Sequence, residues 1–324
     1  MSTKIIFRTD ASVKIGIGHV MRCLTLADKL SELGAAQAID IAFASSPETV
    51  ETVPDLKYPI VDETIGGDIL IIDHYELGID YETSMRDKFD LIMVIDDIPN
   101  RPHNCDILLD QTFGRKESEW HPMVPDSALL LTGGPFMLLR QEFEFMKSQS
   151  QPRTKLDSIF VSLGGTDPYN VTDLVLEGIR KTRLDLPVTV VMGTNAPHIL
   201  DVKDKAKSMS NVIVMTNVRS MSALMINADL AIGAGGTTAW ERCALGLPSL
   251  VLEIADNQKD VIRRLVLADA ALECPIDDHA VYEAIMLLHS SPEILMQMSF
   301  SASAICPGNG AQRVAQILLD TQQG

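Results

Sequence analysis

The chain has 324 residues, 46% hydrophobic and 22% charged, the proportions of an ordinary globular protein long enough for two domains. Its formal net charge of −17 repels phosphate backbones and anionic membrane surfaces, which excludes nucleic acid and stable membrane association as expected partners. The five cysteines, Cys23, Cys105, Cys243, Cys274 and Cys306, are scattered and form no CxxC pair, which fits reduced thiols better than a disulfide framework or a zinc site.

Taken in order, the N-terminal MSTKIIFRTD reaches charged residues too early for a signal peptide. No run of about 18 apolar residues follows, so a cytoplasmic chain without a membrane span is expected. Strand-length apolar runs then recur: KIIFR, DIAFA, DILIID, DLIMVID, CDILLD and ALLLTG, followed by SIFVSLGG, PVTVVMG, NVIVMT, DLAIGAGG and PSLVLEI. These runs lack polar alternation, as strands buried on both faces do. Helix-period stretches between them give right-handed βαβ units. The expected fold class is α/β, with two doubly wound Rossmann-like domains. The two strand series part at the polar, Pro152-containing segment 144–158, so domains over 1–148 and 153–324 are expected. The end of the chain reads as helices only. Ligands of such sheets bind beyond the carboxyl ends of the strands, which makes a cleft between the domains the expected site.

The first motif is KIGIGHVMRCLTLADKL, Lys14 to Leu30. Gly16 and Gly18 are followed by Met21 where a dinucleotide fingerprint needs its third glycine, and no Walker A loop is present. What remains is a glycine turn entering a helix. Leu24, Ala27, Leu30 and Leu33 give that helix its apolar stripe, and Gly34 suits its C-terminal cap. His19 and Arg22, three residues apart, project from one side of the first turn. The residues alone leave His19 open between a capping or exposed histidine and a neutral general base. The second motif is DLAIGAGGTTAWERCALG, where Gly233, Gly235 and Gly236 end a strand and Thr237 and Thr238 start a helix. That turn suits a diphosphate. Glu241, one turn on, suits ribose hydroxyls, the other reading being a surface glutamate. Gly164 and Gly165 in FVSLGGTDPYN could approach the same ligand or form a simple turn. Asp73, His74 and Tyr75 follow the DILIID strand, and Asp256, Asn257 and Gln258 follow the PSLVLEI strand; polar groups there either meet a ligand or cap the next helix. Asp96 and Asp97 read as turn and cap residues, without spacing for a metal site.

In combination, RTDASVKIGIGHVMRCLTLA, IIDHYELGIDYE, VIDD, GPFMLLRQEF, VSLGGTDP, the glycine–threonine–glutamate segment and DNQ resemble the UDP-sugar hydrolases of pseudaminic acid biosynthesis. These group with the SpsG-like spore-coat polysaccharide proteins and are related to the MurG-type GT-B glycosyltransferases. The resemblance runs to about residue 310. It implies a GT-B-like fold and inverting hydrolysis of a UDP-linked 2,4-diacetamido-2,4,6-trideoxy sugar, for surface glycans such as those of flagellin. It implies no cofactor and no metal. His19 would activate the water, and Tyr75 and Asn257 would lie near the sugar. Substrate contacts would come from Gly16, Gly18, Arg22, Asp73, Gly164, Gly165, Gly235, Gly236, Thr237, Thr238, Glu241 and Gln258. The glycine- and threonine-rich turn is closer to the transferase version, so a MurG-like UDP-sugar glycosyltransferase stays an alternative. A non-catalytic UDP-sugar-binding subunit is the other.

Overall fold

The computed structural model describes residues 2–12, 15–35, 38–53, 56–62 and 65–321; Lys14, which opens the histidine segment, lies outside them. The chain divides into two units, Met1–Arg140 with Asn309–Gly324, and Gln141–Gly308.

The first unit contains β1 (Thr3–Thr9), α1 (Gly18–Leu33), β2 (Ile39–Ala44), α2 (Pro47–Thr52), β3 (Gly67–Asp73), α3 (Ile79–Met85), β4 (Phe89–Ile95), β5 (Ile107–Asp110) and β6 (Leu129–Thr132). Among the described residues the strands form a parallel sheet in the order β2-β1-β3-β4-β5-β6. Alternate residues of each apolar run serve opposite faces. Ile5, Phe7, Ile69, Ile71, Leu91 and Met93 enter one core, and Ile6, Leu70, Ile72, Ile92 and Val94 enter another. Burial on both faces is why these runs lack polar alternation. Helix α1 buries Val20, Cys23, Leu26, Ala27 and Leu30. The expected Leu24 and Leu33 are partly buried at the margin of that core. Gly34 does cap α1, but at φ −87 rather than in the left-handed conformation. Its need for glycine is space, since a Cβ there would come within 1.9 Å of the Ile39 side chain.

The second unit contains α4 (Gln141–Lys147), β7 (Ile159–Ser162), α5 (Val171–Thr182), β8 (Val188–Val191), α6 (Ile199–Lys207), β9 (Val212–Met215), α7 (Met221–Met225), β10 (Leu230–Ala234), α8 (Thr238–Ala244), β11 (Ser249–Leu252), α9 (Lys259–Leu267), β12 (Ala271–Glu273), α10 (Asp278–Ser290) and α11 (Pro292–Ile305). Its parallel sheet runs β12-β11-β10-β7-β8-β9. The sequence runs did not include β12, which is too short for any periodicity to register.

The unit boundaries differ from the expected ones in two places. The chain's last helix, α12 (Gly310–Thr321), places Ala311, Val314, Ala315, Leu318 and Leu319 in the core of the first unit, where it packs on α1. The sequence read this stretch as helical but did not show which unit it packs on. Residues 141–155 belong to the second unit instead of forming a linker. Lys147 Nζ donates to the Ala244 and Ser303 carbonyls at 3.3 and 3.2 Å. Arg153 is buried and donates to the carbonyls of Ala228 and Ile226 at 3.1 Å. The segment is polar because its side chains satisfy helix-end carbonyls, and that composition also reads as a linker.

Both sheets have a strand-order reversal. In the first, the chain steps from β1 outward to β2 and resumes at β3 on the other side of β1. In the second, it runs β7-β8-β9 outward and resumes at β10 beside β7. Loops leaving the two strands at such a reversal diverge to opposite faces and open a crevice beyond the carboxyl ends. The loop after β1 leads to His19, and β3 ends at Asp73. The loops after β7 and β10 carry Gly164, Gly165, Gly235 and Gly236. Among the described residues no helix is long and apolar enough to cross a membrane.

Candidate active site

Asp73 is the last residue of β3 and pairs in register with Thr9 of β1. It is fully buried, yet three side chains donate to its carboxylate. Arg22 binds it bidentately, Nε to Oδ2 and Nη2 to Oδ1, each at 2.6 Å. His19 Nδ1 lies 2.5 Å from Oδ1, and the Cys23 thiol reaches Oδ2 at 3.5 Å. All three come from one face of α1, at positions i, i+3 and i+4. Burial alone would raise the Asp73 pKa, but the Arg22 charge and the hydrogen bonds from Arg22 and His19 hold it well below the usual carboxylate range. An ionised carboxylate only accepts, so His19 Nδ1 carries the proton of this bond. The neutral ring then keeps its lone pair on Nε2, for which no partner is found among the described residues. His19 is part-buried, with 11% of its side chain exposed, so Nε2 is the ring's available atom.

Tyr75, two residues beyond β3, meets the His19 ring edge to face with centroids 4.6 Å apart. Its hydroxyl donates to Asp97 Oδ1 at 2.7 Å. Asp97 Oδ2 in turn receives Arg22 Nη1 at 3.2 Å. Burial works against the Arg22 charge, but Asp73 and Asp97 raise its pKa above the ordinary value. Arg22, expected among the substrate contacts, is therefore a buried brace between two carboxylates. Asp97, expected as a turn and cap residue, joins the cluster. Nothing local in MVIDDIP separates it from a cap; only the approach of α1 to β4 does. Asp10 was also missed. It takes His74 Nε2 at 3.2 Å and the Ser46 N–H at 2.7 Å, and although burial opposes this, these bonds and Arg8 hold it well below the usual carboxylate range. His74 Nδ1 accepts the Glu76 N–H at 3.1 Å, so this imidazole is turned to the backbone.

The glycines of the opening motif serve different purposes. Gly16 has φ +81, a conformation that disfavours any side chain, and a Cβ there would meet nothing within 4 Å. The turn thus reverses before α1 and leaves open space beside its backbone. Gly18 is simply the first residue of α1.

In the second unit, Gly164 has φ +91, and added Cβ atoms at Gly164, Gly165 and Gly236 would all meet nothing within 4 Å. These backbones lie open at the sheet reversal. Gly235 is packed instead, its Cβ position 2.5 Å from Ile262. The Gly235 N–H donates to Gln258 Oε1 at 3.3 Å, and the Ile254 N–H reaches the same oxygen at 3.2 Å. Gln258 thereby latches the β10–α8 turn to the loop after β11. Thr237 occupies the N-cap of α8 but makes no capping bond with its hydroxyl. Thr238 begins the helix, and Glu241 is buried within it, so it is not the surface glutamate of the simpler reading. Asn257 lies exposed in a short 3₁₀ turn, Asp256–Gln258. The structure thus brings His19, Arg22, Asp73 and Tyr75 together in the first unit; in the second it sets the glycine turns at the ends of β7 and β10, with Gln258 bonded to the second turn and Glu241 within α8.

Two parallel doubly wound α/β units define a GT-B fold, and solved structures agree. MurG of Acinetobacter baumannii superposes with a TM-score of 0.68 over 98% of this chain and 99% of that one, at 14% identity. By sequence, the chain is 27% identical over 242 residues to the UDP-2,4-diacetamido-2,4,6-trideoxy-beta-L-altropyranose hydrolase of Campylobacter jejuni, covering 71% of this chain and 84% of the relative. It is 23% identical to the spore coat polysaccharide biosynthesis protein SpsG of Bacillus subtilis, covering 96% of both. No protein-family model matches the chain. The resemblance read from the motifs holds: this chain is related to the UDP-sugar hydrolase, to SpsG and, in fold, to MurG.

Proposed function

We propose that the protein hydrolyses a UDP-linked 2,4-diacetamido-2,4,6-trideoxy sugar at its anomeric C–O bond. Water attacks C1 opposite the UDP and gives its proton to His19 Nε2. The C1–O bond breaks, and UDP leaves with the bonding pair. The observation that carries this reading is the buried, ionised Asp73, which fixes the proton on His19 Nδ1 and leaves Nε2 as the base. As the ring takes the proton, the same carboxylate stabilises the imidazolium. Tyr75, against His19, and Asn257 are assigned to the sugar. Gly164, Gly165, Gly236, Thr237 and Thr238 are assigned to the diphosphate and Glu241 to the ribose. Open backbone N–H groups and hydroxyls can neutralise a leaving diphosphate without a divalent ion. The similarity to the named hydrolase supports the substrate class.

Incubation with the UDP-linked sugar in EDTA is expected to release UDP and free sugar. His19→Ala should lower turnover by about 10²- to 10⁴-fold while UDP still binds. Unchanged turnover in that variant removes His19 from the role. In oxygen-18 water the label belongs in the sugar; label in UDP would refute C–O cleavage. Transfer to a sugar or lipid acceptor faster than to water would favour the glycosyltransferase reading instead.

A further inference from the structure

Behind Tyr75 lies a buried ionic network that the proposed reaction does not use. His103, with no exposed side-chain surface, stands between two carboxylates. Its Nδ1 is 2.6 Å from Glu82 Oε1 of α3, and its Nε2 is 3.2 Å from Asp96 Oδ2 at the end of β4. The second Glu82 oxygen accepts the Asn104 N–H at 2.5 Å. Asp96 also accepts the Ile98 N–H at 2.9 Å and pairs with Arg101 at 2.7 Å. These bonds pin the turn from Asp96 to Ile98. The next residue in that turn is Asp97, which holds the Tyr75 hydroxyl and Arg22. Arg115 Nη2 grips the Asp97 carbonyl at 2.8 Å. Arg101 closes the circuit, with its guanidinium 5.9 Å from the centre of the Tyr75 ring and Nη2 donating to the His74 carbonyl at 3.2 Å.

We propose that His103 is a positioning residue for the His19–Tyr75 pair, acting through the Asp96–Asp97 turn. The inference rests on the roles given to His19 and Tyr75 above. Two acceptor-only carboxylates on the two ring nitrogens require two N–H donors, which only the doubly protonated imidazole supplies. Burial pulls the His103 pKa down, but its bonds to Asp96 and Glu82 outweigh it and push the value up to about 9. A buried ionic triad of this kind adds little net stability over an apolar filler of the same volume. What it does supply is direction. It sets the angle at which the chain leaves β4, and so where Asp97 presents its two oxygens. Tyr75 is held from both sides by that turn, through Asp97 at its hydroxyl and Arg101 at its ring face. Loss of the imidazole frees the turn and lets the Tyr75 ring drift from the His19 edge.

His103→Gln keeps one donor nitrogen, puts an acceptor oxygen in place of the other and removes the charge. In protein carrying ¹³Cζ-labelled tyrosine, the Tyr75 resonance, identified by its loss in Tyr75→Phe, is expected to shift in folded His103→Gln. Turnover of the UDP-sugar should fall about 10- to 100-fold with KM changed less than about twofold. In a Tyr75→Phe background the same substitution should cost less than about twofold, because both act on one arrangement. An unmoved Tyr75 resonance, or fully multiplicative losses, would overturn the proposal. If the wild-type protein turns over no UDP-sugar, the assigned reaction falls, and the tyrosine resonance still decides the positioning. Should His103→Gln not fold, Asp96→Asn weakens the same grip and is read in the same way.

Discussion

A fully buried carboxylate is costly unless each oxygen is satisfied, and Asp73 meets that demand with donors from a single helix. Its charge is therefore structural before it is chemical: it draws α1 onto the end of β3 and sets the His19 tautomer in the same act. His103 obeys the opposite sign. Its folded pKa of about 9 lies above the ordinary 6.5, raised by Glu82 from α3 and Asp96 from the end of β4 against the effect of burial. The stability it contributes is fully present below pH 6.5 and is lost as pH rises through 9. Urea unfolding of wild type and His103→Gln should therefore differ most at pH 6.5 and below, and converge above pH 9. A gap that stayed constant across that range would mean that the imidazole is not charged in the fold.

At the scale of elements, two short helices are tied to their surroundings by one arginine. Arg153 donates to the carbonyls of Met225, the last residue of α7, of Ile226 and Ala228 just beyond it, and of Leu245, which caps the end of α8. They lie at helix C-termini, where carbonyls lack the partners that a continuing helix would supply. Among the described residues no carboxylate pairs with the guanidinium, and burial lowers its pKa despite Asp229 nearby. Arg153→Met keeps the length and removes the donors. The expected loss is roughly 2–4 kcal/mol of stability, read as a lower urea midpoint. Because α8 follows the Gly235–Gly236 turn, UDP affinity should weaken in the same variant. Gly16 works at this scale too, since its positive φ is what lets the chain turn from β1 into α1 with open space beside it.

For the whole molecule, the first unit is assembled from both ends of the chain. Helix α12 packs against α1, the helix that carries His19 and Arg22. Deleting residues 309–324 exposes the α1 face that α12 covers. The first unit should then lose cooperative unfolding, while the second unit, whose core is its own, keeps it. Hydrogen exchange resolved by unit would register this, and equal protection in both units would contradict it. Much of this organisation was legible beforehand. Continuous apolar runs announced parallel strands, because burial on both faces is written into every residue of a strand. The GIGH and GAGGTT segments announced turns at strand ends, because glycine and helix-start residues act locally. His19, Arg22 and Asp73 were recognisable as polar residues at such ends. What no local pattern carried was pairing at distance. That Asp97 braces Tyr75, that Gln258 latches a turn from the next strand, that α12 returns to the first unit and that a polar stretch with a proline is packed rather than free were all settled by tertiary structure. Each depends on which buried donor meets which acceptor across the chain, and that choice is made only when desolvated groups must find partners in the folded core.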